Sequence, residues 1–246
     1  MTGTLALLAA LGSASLVTSF ISGILGMAGG MILMGVLLAA VPVPLAMTLH
    51  GITQFTSNAG RAWMGRSDIH WPIVAAYVGG GLVAVALFAA LQVRLGKAGA
   101  LLAMGVTPFL GLALPARLRL DVTRRGHGAA CGLACVALSL TAGIAGPILD
   151  LFFVRSRMSR HQVVATKALT QAFSHLLKVG YFGVLAAQAE VPWPLAAPMA
   201  VLALAGTRLS RGVLERMSDA SFRQWTRRTI LTLGVIYLAA GAMLAG

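Results

Sequence analysis

The chain has 246 residues, of which 58% are hydrophobic and 10% charged, with a mean hydropathy of +0.87. A soluble domain carries about 25% charge, so this chain lacks the water-compatible groups needed to cover a soluble surface. The fold class expected is an all-α polytopic membrane protein. The net charge of +13 does not point to nucleic acid, because no folded polar face exists to bind it. The basic residues fall at the edges of apolar runs, mostly in 115–125, 155–160 and 208–228, as the positive-inside bias distributes them.

Residues 4–25 form the first apolar run. No basic region precedes it and it is too long for a cleaved signal peptide, so it is expected as the first span. A short piece follows at 30–41, then runs at 44–65, 71–93 and 98–114. Beyond a linker at 115–126, the second half gives 127–145, a short piece at 147–154, then 162–183, 192–213 and 225–245. The order long, short, long, long, long occurs twice. It divides one transmembrane domain, 1–246, into repeat one (1–114) and repeat two (127–246). Each half is expected to hold about four spanning helices plus a short discontinuous or re-entrant segment.

The short pieces follow glycine-containing breaks: Gly23-Ile24-Leu25-Gly26 with Gly29 and Gly30 in one half, and Gly143-Ile144-Ala145-Gly146 with Pro147 in the other. Glycine and proline interrupt a helix and free backbone N–H and C=O groups. In a membrane those groups must face protein, water or a ligand. A helix that starts inside the bilayer also turns its positive dipole end inward, which suits an anion. Close packing of the glycines is the alternative role.

Orientation follows from Lys and Arg. If the short pieces do not cross, one side carries five basic loop residues and the other eleven; if each counts as a pass, the partition is fourteen against two. The second partition is the cleaner. It makes the halves inverted repeats and puts both termini outside the cytoplasm, in an inner or plasma membrane.

A polar motif occurs in both halves, offset by 117 residues: Thr53-Gln54-x-x-Ser57-Asn58-x-x-Arg61 and Thr170-Gln171-x-x-Ser174-His175-x-x-Lys178. Thr53, Ser57 and Arg61 are four apart and share one helix face, as do Thr170, Ser174 and Lys178. Hydroxyls, amides and cations along a buried stripe suit an oxyanion, which needs several convergent donors. Interhelical hydrogen bonding is the competing role for the hydroxyls and amides, and snorkelling to the interface for Arg61 and Lys178. His50 stands at the position equivalent to Lys167. Asp150 is the sole acid inside an apolar run; it is expected either to carry a coupling proton or to pair with Lys167 or Lys178. His50 and His175 are further candidates for carrying a proton. Met27, Met31 and Met34 are read as packing. Cys131 and Cys135, with only His127 near them, are read as small residues at a helix interface, so no metal or cofactor is expected. No P-loop, HExxH or GxSxG pattern points to an enzyme.

The stretch Ser22-Gly23-Ile24-Leu25-Gly26-Met27-Ala28-Gly29-Gly30 resembles the glycine signature of the TauE/SafE sulfite exporter family. The likeness extends over duplicated halves, a polar helix after each break and a basic segment from Arg208 to Arg228 before the last helix. The second half departs from it, its break ending Gly146-Pro147-Ile148-Leu149-Asp150. The resemblance implies export of sulfite, sulfoacetate or related organosulfonates. The expected site is Gly26, Gly29, Gly30 and Gly146 with both copies of the polar motif, at the interface of the halves and worked by alternating access. The expected partners are a small anion, bilayer lipid and protons, with a homodimer as a further association. A passive anion channel, or an intramembrane enzyme or assembly factor using Asp150 with His175, are the alternatives.

Overall fold

A computed structural model describes residues 2–25, 27–93, 95–113, 120–185, 191–214, 216 and 219–246. Gly26 and positions 115–119 of the expected linker lie outside them. The described residues contain ten α-helices and no strand: α1 (Thr2–Leu25), α2 (Ala28–Ala40), α3 (Val43–Met64), α4 (Trp71–Leu91), α5 (Lys97–Ala113), α6 (His127–Thr141), α7 (Gly146–Phe153), α8 (Arg160–Gly180), α9 (Trp193–Leu214) and α10 (Asp219–Ala245).

The order of long and short helices is the one expected, with local differences. α6 stops at Thr141 rather than continuing to 145. Its end is set by Gly143, whose φ of +74° continues no right-handed helix, while the Ala142 N–H closes the last turn on Leu138 O. The left-handed conformation after a helix end is the usual place for glycine. α10 begins at Asp219, before the apolar run. α8 continues directly into a π-turn, Tyr181–Leu185. Its start is fixed by a capping box, in which Ser159 accepts from the Gln162 N–H and the Gln162 side chain accepts from the Ser159 N–H.

Among the described residues, three helices are long and apolar enough to cross a membrane on length and composition: Leu5–Leu25, Trp71–Leu91 and Gln224–Ala245. α3 and α8 have comparable length, but each carries a polar stripe that the fold turns inward. Thr48, His50, Gln54, Ser57 and Asn58 on α3, and Thr166, Thr170, Ser174 and Lys178 on α8, are all buried.

The packing is between halves as much as within them. α1 lies on α9 and α4 on α6; α3 lies on α8 and α5 on α10. Small residues set the close approaches. A Cβ on Gly80 of α4 would run into the carbonyl oxygen of Ala129, and one on Gly132 of α6 into that of Tyr77. Ser15 of α1 donates to Met199 O of α9 at 2.6 Å, and Gly12 meets the Leu202 side chain. Between α3 and α8 the close point is Gly51, where a Cβ would stand 2.6 Å from Val179 Cγ2. The short helices α2 and α7 sit within this frame: Met31, Met34, Leu37, Leu149 and Phe153 belong to the buried apolar core.

Candidate functional site

The two breaks meet. Gly146, at the start of α7, faces Met27, the residue before α2, so closely that a Cβ would fall 2.5 Å from the Met27 Cβ. Gly143 likewise lies against Met34 Sδ. Neither helix start has a side-chain cap, so both present their N-terminal amides without competition from a capping oxygen. Pro147 in the first turn of α7 gives up a donor there but presets the helical φ.

Both starts open on one cavity of about 320 Å3 that includes its mouth. α3 contributes His50, Gln54, Asn58 and Arg61 to the wall. α8 contributes Gln171 and His175, and the breaks contribute Met27, Gly30, Ile144, Ala145 and Gly146. Residues four apart on α3 share one face, which is why three turns of that helix reach the same space. Among the described residues the lining contains no Asp or Glu.

Three of the residues in that wall carry a buried nitrogen with no partner among the described residues: Gln54 Nε2, Arg61 Nε and His175 Nδ1. A buried polar atom left unpaired in a folded protein costs roughly 1–3 kcal/mol, so the three are hydrogen-bonding capacity that the fold leaves unused beside one cavity. Arg61 does not snorkel: its Nη2 donates to Asn58 Oδ1 at 2.7 Å, and Asn58 in turn donates to Gln54 O at 2.8 Å. This relay aims the guanidinium along α3 towards the cavity.

Lys178 is fully buried and points inward. Its ammonium donates to Gly143 O at 2.9 Å and contacts His50 Nδ1 at 2.8 Å. His50 Nε2 lies 3.0 Å from Gly30 O. A carbonyl only accepts, so Nε2 carries the hydrogen and Nδ1 accepts from Lys178. The break of each half is thus hydrogen-bonded to the same pair of side chains. The His175 ring stands edge-on to His50, with centroids 5.4 Å apart.

Other expected site residues are placed elsewhere. Thr53 donates to Leu49 O, and Thr170 to Lys167 O. Ser57 bonds Thr207 of α9 at 2.7 Å, and Ser174 bonds Tyr77 of α4 at 2.6 Å. These four hydroxyls close helix turns or join helices, and none lines the cavity. Gly29 is filled by α1, since a Cβ there would strike Thr18 O, whereas Gly30 faces Gln54 and His50. Asp150 forms an ion pair with Lys167, both partly exposed, and is not in the cavity wall with His175. Among the lining residues, Ser22 and Met27 stand out as contributors that the polar motif does not signal. Only their place beside the first break hints at them.

A family model for the sulfite exporters TauE/SafE matches residues 11–240. The chain belongs to the sulfite exporter TauE/SafE family. The match covers both breaks and both copies of the polar motif. It makes this an α-helical membrane transporter rather than an enzyme, of a family that exports sulfite and related sulfur anions. No curated protein and no solved structure matches the chain.

Proposed function

We propose that this member of the TauE/SafE family exports small sulfur-containing anions, namely sulfite, sulfoacetate or a related organosulfonate, by alternating access around the cavity between the two breaks. The observation that carries this reading is the set of three unpartnered nitrogens, on Gln54, Arg61 and His175, whose residues line one space with no carboxylate among its described residues. A sulfonate or sulfite oxygen accepts from amide, guanidinium and imidazole donors alike, and charge-assisted bonds of this kind are about twice as strong as neutral ones. The uncapped starts of α2 and α7 add two partial positive charges of roughly half a unit each. Asn58 and Gln171 complete the donor set, with Arg61 and Lys178 supplying the field.

The packing supports two related halves. Helices α1 to α5 correspond to α6 to α10, and exchanging them turns the α1–α9 contact into α6–α4. Ser15 and Gly132 differ by 117 positions, and their partners Met199 and Tyr77 by 122, so one contact recurs in both halves. We read these as inverted repeats, with each short helix counting as a pass. In the coupling role, the His50–Lys178 pair and His175 lie at the cavity, whereas Asp150 is held by Lys167 outside it.

Proteoliposomes loaded with labelled sulfite, sulfoacetate and taurine test the reading. Flux of at least one sulfur anion is expected, falling by about tenfold or more in Gln54→Ala and Gln171→Ala, since each donor lost to a charged acceptor is worth roughly 1.5–3 kcal/mol. Unaltered flux in both variants refutes the site.

A further inference from the structure

A second cavity, of about 330 Å3, lies on the far side of the Lys178–His50 bridge. Its position follows from three elements that run past both cavities. On α3, Val43 and Met47 line the second cavity, His50 makes the bridge, and Gln54 and Asn58 line the first. Through the second break, Leu140 and Thr141 line the second cavity, Gly143 O receives Lys178, and Ala145 lines the first. On α8 and its π-turn the sequence runs Phe182, Lys178, His175 in the same order. Three independent pieces of backbone thus put the bridge between the cavities.

We propose that Lys178 and His50 form the inner gate of the translocation path, and that the second cavity is the continuation of that path towards the opposite face of the membrane. The bridge closes the passage with side chains alone, hydrogen-bonded to the carbonyl of Gly30 on one break and of Gly143 on the other. Gly51 makes the bridge reachable, because α8 approaches α3 there closely enough to lay Lys178 Cε against it. Breaking two hydrogen bonds and swinging one flexible side chain joins the cavities without separating the packed helices. Among the described residues of the second cavity's lining only Thr141 has a side-chain polar group, and its hydroxyl is spent on Ala137 O.

The gate rests on the transport reading above, but its test involves no sulfur anion. In full-length protein carrying Cys131→Ala and Cys135→Ala, single cysteines are placed at Ala145 and Thr141, four residues apart across Gly143, and exposed to a membrane-impermeant thiol reagent from either face of sealed vesicles. Ala145→Cys is expected to react from one face and Thr141→Cys from the other. Adding Lys178→Met should let reagent from the Ala145 side reach Thr141→Cys about tenfold faster, the factor that losing two net hydrogen bonds implies. His50→Ala should do the same, and it serves if Lys178→Met does not fold. Reaction of both cysteines from one face, no reaction at Thr141→Cys from either face, or unchanged rates in a folded gate variant overturns the gate. Opposite-face labelling without transport of any sulfur anion leaves the gate standing and refutes the substrate. Transport with same-face labelling does the reverse.

Discussion

A methyl group at Gly30 would sit 3.4 Å from Gln54 Oε1 and 3.8 Å from His50 Nε2, an ordinary contact beside the cavity that both residues line. At Gly29 the same methyl would meet the backbone oxygen of Thr18, which has no way to retreat without moving α1. Gly30→Ala is therefore expected to keep or slightly raise the melting temperature, since alanine in a helix is favoured over glycine by roughly 0.5–1 kcal/mol, while sulfur-anion flux drops severalfold. Gly29→Ala should instead lower the yield of folded protein. Thermal unfolding in detergent beside vesicle flux separates the two. Adjacent and identical in sequence, these glycines differ in what stands opposite them, which no local pattern encodes. The polar motif has the same character. Its spacing correctly brings Gln54, Asn58, Arg61, Gln171 and His175 to one space. Its hydroxyls follow the same period, yet Ser57 and Ser174 are taken by Thr207 and Tyr77, residues 150 and 97 positions away. Short hydroxyl side chains reach their own helix or its nearest neighbour, and the longer amides and cations reach further.

At the scale of helices, the ends were legible wherever charge, proline or glycine interrupts an apolar run. α3 and α4 each carry proline in the first turn, where its missing N–H has no helical partner to lose. The exact end of α6 was not legible: Gly143 belongs to the break, but glycine is tolerated within membrane helices and the apolar run continues past it to 145, so hydropathy does not show that the positive φ at Gly143 ends the helix there. Gly132 is where α6 and α4 touch backbone to backbone, so Gly132→Ala must force them apart. A loss of about 1–3 kcal/mol is expected, as for other overpacked interiors. Gly79, one helix over, has nothing within 4 Å of its would-be Cβ, and Gly79→Ala should be neutral or mildly stabilising. Denaturation of both variants in the same detergent gives the comparison; equal stability would mean that the α4–α6 contact is looser than its geometry.

Across the whole molecule, helix count and order could be read from hydropathy, but partner choice could not. That α1 packs more on α9 than on α2 of its own half, and α4 on α6, depends on shape, with Ser15 and Gly206 at the first contact and Gly80 and Gly132 at the second. Small residues announce close contact in a membrane and leave the partner unnamed. α2 and α7 span only roughly 20 and 12 Å as helices, too little for a ~30 Å hydrocarbon layer, so the long helices around them must shield their ends. On the proposed reading, with each short helix counting as a pass, ten passes would put both termini on one side. A reporter active only outside the cytoplasm is expected to be active when fused to either end, and activity at just one end would mean that a short helix turns back instead of crossing.

That no described residue of the cavity wall is acidic has a kinetic corollary for the proposed carrier. Arg61 lines the cavity with hydrogen-bond acceptors but no counter-charge among the described residues of that wall, so its own field is best neutralised when cargo is aboard. Turning over the unloaded carrier is then the slow leg of the cycle, and turning it over with a passenger the fast one. Sulfite supplied on the receiving side should accordingly speed the exit of labelled sulfite rather than compete with it. Such countertransport stimulation, measured against efflux into anion-poor buffer, would vanish if a carboxylate were installed by Asn58→Asp.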